Sequence, residues 1–175
     1  MEDTLKASIE EIFEHYNEVG WQRLGKTTKI PFSSKYEFFT HWENYVRSFV
    51  EKTIPQRDLQ EASPRERLFE VTLARLEAAE PFKISLKKLR KDLLKDPKAL
   101  QALLKKSDEA AAFYLSYAGV STFGPIGCLK QQAYNGIFQW TLHTWFDDTT
   151  KDSAKTMSFL DNILGYCDKI MENYA

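Results

Sequence analysis

Leu5, Ile9, Ile12, Phe13, Tyr16 and Val19 recur at three- and four-residue steps, which predicts a helix over about 4–19 with one apolar face, ended by Gly20. From Gln22 to Pro31 the apolar period is lost among a Gly, two Thr, two Lys and a Pro, as expected of a loop or one irregular turn. A short helical piece over about 32–39 and a longer one over about 41–53 follow, and Pro55 with the polar run to Ser63 reads as a linker. Ser63-Pro64-Arg65-Glu66 is a strong helix start, with a Ser cap, Pro at the first helical position and an acid three residues after the cap. Leu68, Phe69, Leu73 and Leu76 line that helix until Pro81.

The next segment, Ile84 to Lys95, sets Ile84, Leu86, Leu89, Leu93 and Leu94 among Lys and Arg, and Asp96-Pro97 opens a new helix to about 118. Gly119–Gly124 is a break, after which 125–147 forms the most apolar and aromatic helix. The last helix, about 153–174, carries Met157, Leu160, Ile163, Leu164, Cys167, Ile170 and Met171 in period. No internal repeat is present. The expected architecture is all-α, with a small three-helix head over 1–54 and a five-helix body over 63–175.

Composition agrees with that reading. Only 7 Gly and 6 Pro in 175 residues leave little material for a turn-rich sheet fold or a glycine-rich phosphate loop, while 43 % apolar and 28 % charged residues suit a folded globular chain. A formal net charge of −1 supplies no global positive field for nucleic acid or an anionic membrane. Cys128 and Cys167 have no CxxC partner and no His at zinc spacing, so the expectation is two buried thiols in a reducing cytosol, with no metal and no cofactor. The acidic opening Met1-Glu2-Asp3 fits neither a secretory signal nor a transit peptide, and a cytoplasmic location is expected.

Catalytic constellations are weak. His143 and Asp147 share a helical face, but a histidine at a helix end beside Asp147-Asp148 is more often a surface or capping contact. His15 and His41 are isolated, and no GxSxG, HExxH or P-loop occurs, so no catalytic residue and no enzyme is expected. The aromatic wealth is more informative. Phe123, Tyr134, Phe138, Trp140, Trp145 and Phe146, with Phe113, Tyr114 and Tyr117 on the preceding helix, exceed the needs of one buried face. They line an apolar cavity, bury a partner surface or fill a core. In the head, residues 20–52 hold six Lys or Arg against three acids, a modest local excess for phosphate contact.

Stretches in both the head and the body carry a resemblance. Tyr36-Glu37-Phe38-Phe39 followed by Thr40-His41-Trp42-Glu43-Asn44-Tyr45-Val46 resembles the TetR-family segment in which a Tyr-x-x-Phe ends the recognition helix and a Pro-Ser-Lys-Glu-x-Leu-Leu run opens the next. Tyr36, Phe39 and Glu43 match. Trp42 stands where the family places a phosphate-contacting Lys, Glu37 where a neutral or basic residue faces DNA, and Pro31 where Ser is usual. The segment 22–30 is short for the family's second helix, which makes the head a degenerate helix-turn-helix.

In the body, Pro64-Arg65-Glu66-Arg67-Leu68-Phe69-Glu70-Val71 and Ala79-Glu80-Pro81-Phe82-Lys83 look like the C-terminal domain of the ubiquinone-biosynthesis accessory proteins, themselves TetR-fold. The tail Trp145-Phe146-Asp147-Asp148, then Lys155-Thr156-Met157-Ser158-Phe159-Leu160-Asp161, resembles their acidic turn before a Thr-x-x-Phe-Leu-Asp helix. The resemblance spans about 32–171. It implies a homodimer through the last two helices, with Trp140, Met157, Leu160, Leu164 and Cys167 at the interface. It also implies an apolar pocket for a lipid or quinone precursor, placed at Phe113, Tyr117, Cys128, Tyr134 and Phe138, in a protein that serves a quinone-biosynthesis enzyme. The regulator branch of the same fold implies instead a ligand-responsive head touching DNA through Lys29, Ser33, Ser34, Lys35 and Tyr36.

Overall fold

The computed structural model describes the backbone of residues 2–24 and 34–173. The described residues form seven α-helices and no strand: α1 (Glu2–Val19), α2 (Phe38–Thr53), α3 (Pro64–Ala79), α4 (Lys83–Leu93), α5 (Pro97–Tyr117), α6 (Gly124–Phe146) and α7 (Ala154–Asn173). Single 3-10 turns at Lys35–Glu37, Gln56–Leu59, Glu80–Phe82 and Lys151–Ser153 join or introduce them.

Local chemistry sets most boundaries. The α3 start is a complete capping box: Ser63 Oγ accepts from the Glu66 amide at 3.3 Å, and the Glu66 carboxylate accepts from the Ser63 amide at 2.7 Å. Asp96 caps α5 by accepting from the Ala99 amide at 3.1 Å, with Pro97 at the first helical position. Gly20, at φ 75°, ends α1 in the left-handed region that a side chain disfavours. The α6–α7 corner is held by the buried Asp148 carboxylate, which accepts from the amides and hydroxyls of both Thr150 and Thr156 at 2.5–2.9 Å. Burial works against that charge, but these donors outweigh it and hold the carboxyl below its ordinary pKa.

One apolar core runs through the molecule. It joins Ile9, Ile12, Phe13 and Tyr16 of α1 to Phe38, Tyr45 and Val50 of α2, Val71 and Ala78 of α3, and Ala111, Tyr114 and Leu115 of α5. Aromatic rings make the junction between the N-terminal helices and the rest. Phe13 stacks on Phe82 at 5.0 Å and meets Phe38 and Trp42 edge-on at 5.5 and 5.8 Å. A second cluster, Ile137, Leu160 and Leu164, seats α6 and α7 on Leu68, Phe69 and Leu73 of α3.

Residues 25–33 of the expected three-helix head lie outside the described residues. Of the short helical piece expected over about 32–39, the described part is one 3-10 turn at Lys35–Glu37 that leads into α2. Phe38 and Phe39 are both core residues, 2 % and 4 % exposed, so the chain enters the core as α2 begins. Lys29 and Ser33 lie outside the described residues. The expectation of two buried thiols also needs correction: Cys128 is exposed on the first turns of α6, and Cys167 is half-buried.

Candidate functional site

A cavity of about 340 Å3 lies between α2 and the helices that follow it, within the range of small-molecule sites. Its walls are Phe38, Phe39, Trp42 and Val46 from α2, Leu86, Leu89 and Leu93 from α4, Leu103 and Ala110 from α5, and Phe138, Leu142 and Phe146 from α6. Amphipathic spacing turns these residues inward. On α2 the 39, 42, 46 positions fall on one face, as do 86, 89, 93 on α4.

The polar part of the wall centres on Arg75 of α3, which is 8 % exposed. Its guanidinium lies 3.5 Å from the Phe138 ring centroid and 4.1 Å from that of Tyr114, two cation–π contacts in a desolvated setting. Arg75 Nη1 donates to the Tyr134 hydroxyl at 3.2 Å, and that hydroxyl also bonds Thr72 Oγ1 at 3.1 Å. Arg75 Nε is buried without a partner, and among the described residues no carboxylate pairs with the side chain. Desolvation alone would lower its pKa, but the net direction is upward because Tyr134, Tyr114 and Glu43 favour the cation. Burial, then Glu43, pushes the Tyr114 phenol well above its ordinary range, so both groups keep their protons. Glu43, 9 % exposed, is held by Arg47 Nε at 3.3 Å. The cavity is thus an apolar chamber with a caged cation and one buried carboxylate in its wall.

Of the residues expected to face a ligand, Phe138 lines this cavity. Phe113 and Tyr117 instead stack on each other at 5.8 Å, with Arg47 over the Phe113 ring and the Tyr117 hydroxyl donating to the Ile54 carbonyl at 2.8 Å. Tyr134 stands behind Arg75 as its hydrogen-bond partner, and Cys128 faces solvent. The reading from aromatic abundance missed α2 and the leucines of α4 and α5; their period-3.6 spacing is the signal that could have found them. Trp42, expected at a DNA-facing position, belongs to the cavity wall and stacks on Phe38 at 6.3 Å.

The described members of the DNA-contact set turn toward the protein itself. Lys35, its side chain 15 % exposed, is ion-paired with Asp96 and lies over the Trp21 and Tyr36 rings at 5.0 and 5.4 Å. Ser34 accepts from the Tyr36 amide at 3.3 Å, and Tyr36 packs half-buried on the core. The interface set divides as well. Leu160 and Leu164, at 0 % and 4 % exposure, belong to the chain's own core, with Cys167 packed beside them. Met157 is half-buried, whereas Trp140 is 68 % exposed. His143 Nδ1 lies 3.3 Å from Arg90 and Asp147 pairs with Lys87 at 2.6 Å, so the two face separate partners. No group of three or more His, Cys, Asp or Glu among the described residues is placed to hold a metal ion. No described helix is long and apolar enough to cross a membrane.

No protein-family model matches the sequence, and no curated protein is similar to it at a significant level. Similarity appears in three dimensions. The crystal structure of a TetR transcriptional regulator from Nitrosomonas europaea superposes with a TM-score of 0.70 over 93 % of this chain and 96 % of that one, at 14 % identity. The all-helical chain therefore has a TetR-like fold.

Proposed function

We propose that the protein is a non-enzymatic binding protein that holds an apolar small molecule, a lipid or quinone precursor, in the cavity between α2 and the following helices. The observation that carries this reading is the cavity itself: about 340 Å3, walled chiefly by aliphatic and aromatic side chains from five helices. The caged Arg75 offers a polar anchor to a ligand whose remainder is apolar. Delivery or presentation of such a molecule to a quinone-biosynthesis enzyme is the role this reading assigns. Solvent extraction of the purified protein followed by mass spectrometry is expected to release a lipid. Leu103→Trp, which places an indole in the cavity, is expected to lower the amount at least tenfold while leaving helicity intact. An empty wild-type protein would overturn the reading.

The protein acts, in this reading, as a homodimer through the outer face of α6. Ile126, Leu129 and Trp140 are 66–69 % exposed on that helix, and Tyr166 of α7 is 68 % exposed. Gly136, between them in sequence, has open space where a Cβ would stand, which permits close helix approach. Trp140→Asp is expected to give a monomer in sedimentation at micromolar concentration. The other reading, a ligand-responsive DNA-binding regulator, is favoured by the description of the structural neighbour. It ranks second because Lys35, Ser34 and Tyr36 are engaged within the fold.

A further inference from the structure

The segment from Lys83 to Lys106 holds nine Lys or Arg against two acids, Asp92 and Asp96, in a chain whose net charge is −1. The rest of the chain, with 15 Lys or Arg against 23 acids, is therefore net acidic, and α4 with the first half of α5 forms a concentrated cationic segment within it. Most of these cations point outward: Lys87, Lys88, Lys91, Lys95 and Lys98 are exposed. Lys91, Lys95 and Lys98 form no ion pair with a described residue, unlike Lys87 and Lys106, which do.

Aliphatic side chains stand among them. Ile84 is 88 % exposed and Leu94 70 % exposed, while Leu89 and Leu93 on the other side of the turn are buried. Positions 84, 87, 88 and 91 share the outer face of α4, and Leu94 and Lys95 follow directly after its last residue, so Ile84 and Leu94 flank the lysines of the helix. Leu94 also lines the cavity, which makes this helix the cavity's outer wall and its C-terminal end part of the rim.

We propose that the outer face of α4, continued by the start of α5, docks on an anionic lipid surface. The lysines meet lipid phosphates, Ile84 and Leu94 enter the acyl boundary, and the cavity rim is brought against the source of an apolar ligand. Nucleic acid would satisfy the charge but not the aliphatic pair, because phosphate backbones offer no apolar medium for an isoleucine and a leucine to enter. The proposal concerns the outer face of the helix and does not depend on what the cavity holds.

Sedimentation with vesicles tests it. The full chain is expected to bind phosphatidylcholine vesicles that contain phosphatidylglycerol, to bind pure phosphatidylcholine at least tenfold more weakly, and to be released by added salt. Ile84→Ser with Leu94→Ser, and separately Lys91→Gln with Lys95→Gln and Lys98→Gln, are each expected to raise the lipid concentration for half-binding about tenfold or more. All five positions are exposed, so circular dichroism should show the wild-type helix content in both variants. Absence of binding to the anionic vesicles overturns the proposal. So does binding that the lysine variant weakens and the Ile84/Leu94 variant leaves unchanged, or random duplex DNA displacing the protein from vesicles at equal phosphate concentration, either of which marks a purely electrostatic face.

Discussion

Trp145→Ala is expected to lower the unfolding free energy by about 4 kcal/mol, the scale of emptying a buried indole site. Trp145 is 1 % exposed and packs with Leu76 and Ala79 at the C-terminal end of α6. Its Nε1 donates to Glu80 Oε2 at 2.8 Å, and Lys83 lies 4.7 Å above the ring, so one side chain fixes α6 to the turn between α3 and α4. Trp145→Phe keeps most of the volume and loses the hydrogen bond, and its expected cost is about 1–2 kcal/mol. Urea titrations of the two variants and wild type check both values. A cost below about 1 kcal/mol for the alanine variant is incompatible with this packing, because no loop or surface relaxation closes a space of that size so cheaply.

The second large effect concerns Asp96. Its carboxylate caps α5, accepts from Trp21 Nε1 at 3.0 Å and pairs with Lys35, so it ties the ends of α1 and the 3-10 turn before α2 to the body. Asp96→Ala is expected to cost about 3 kcal/mol at pH 7, combining a lost helix cap with lost charge-assisted hydrogen bonds. The hydrogen bond from Lys35 is the largest cause of a folded-state pKa lowered to about 2 from 3.8, with the Ala99 amide and Trp21 adding to it against the effect of burial. Between those values the unfolded chain binds the proton and the folded chain does not. The contribution is therefore complete above about pH 4 and fades as pH falls toward 2. Wild type and variant should converge in stability over that interval in acid titrations followed by circular dichroism.

Local signals in the sequence carried over into structure most directly. Ser63-Pro64-Arg65-Glu66 and Asp96-Pro97 act through groups three residues apart, and both give the helix starts they predict. The apolar period of residues 4–19 likewise becomes α1 with Ile9, Ile12, Phe13 and Tyr16 inside. The candidate site was much less legible, for a physical reason. Periodicity says that a face is buried but not what covers it, so Leu160 and Leu164 suit a partner helix and α3 equally well until the chain is folded. Aromatic abundance has the same ambiguity: Phe113 and Tyr117 satisfy each other, Arg47 and a backbone carbonyl, leaving the cavity to leucines whose role depends on which helices diverge. Arg75 was invisible because a single arginine on an apolar face has no sequence signature; only its burial between Phe138 and Tyr114 distinguishes it.

The position of α2 carries a consequence for cooperativity. Tyr45 and Val50 of this helix belong to the core shared with α1 and α3, while Phe39, Trp42 and Val46 face the cavity. The same sixteen-residue helix is thus both a structural strut and a chamber wall. An occupant pressing on that wall adds its binding free energy to the contacts that hold the N-terminal helices in place, and loosening those helices removes one side of the chamber. Under the proposed function, loading and folding are in that sense a single equilibrium: a filled molecule would resist opening at its N-terminal end, and a molecule opened there would release its ligand.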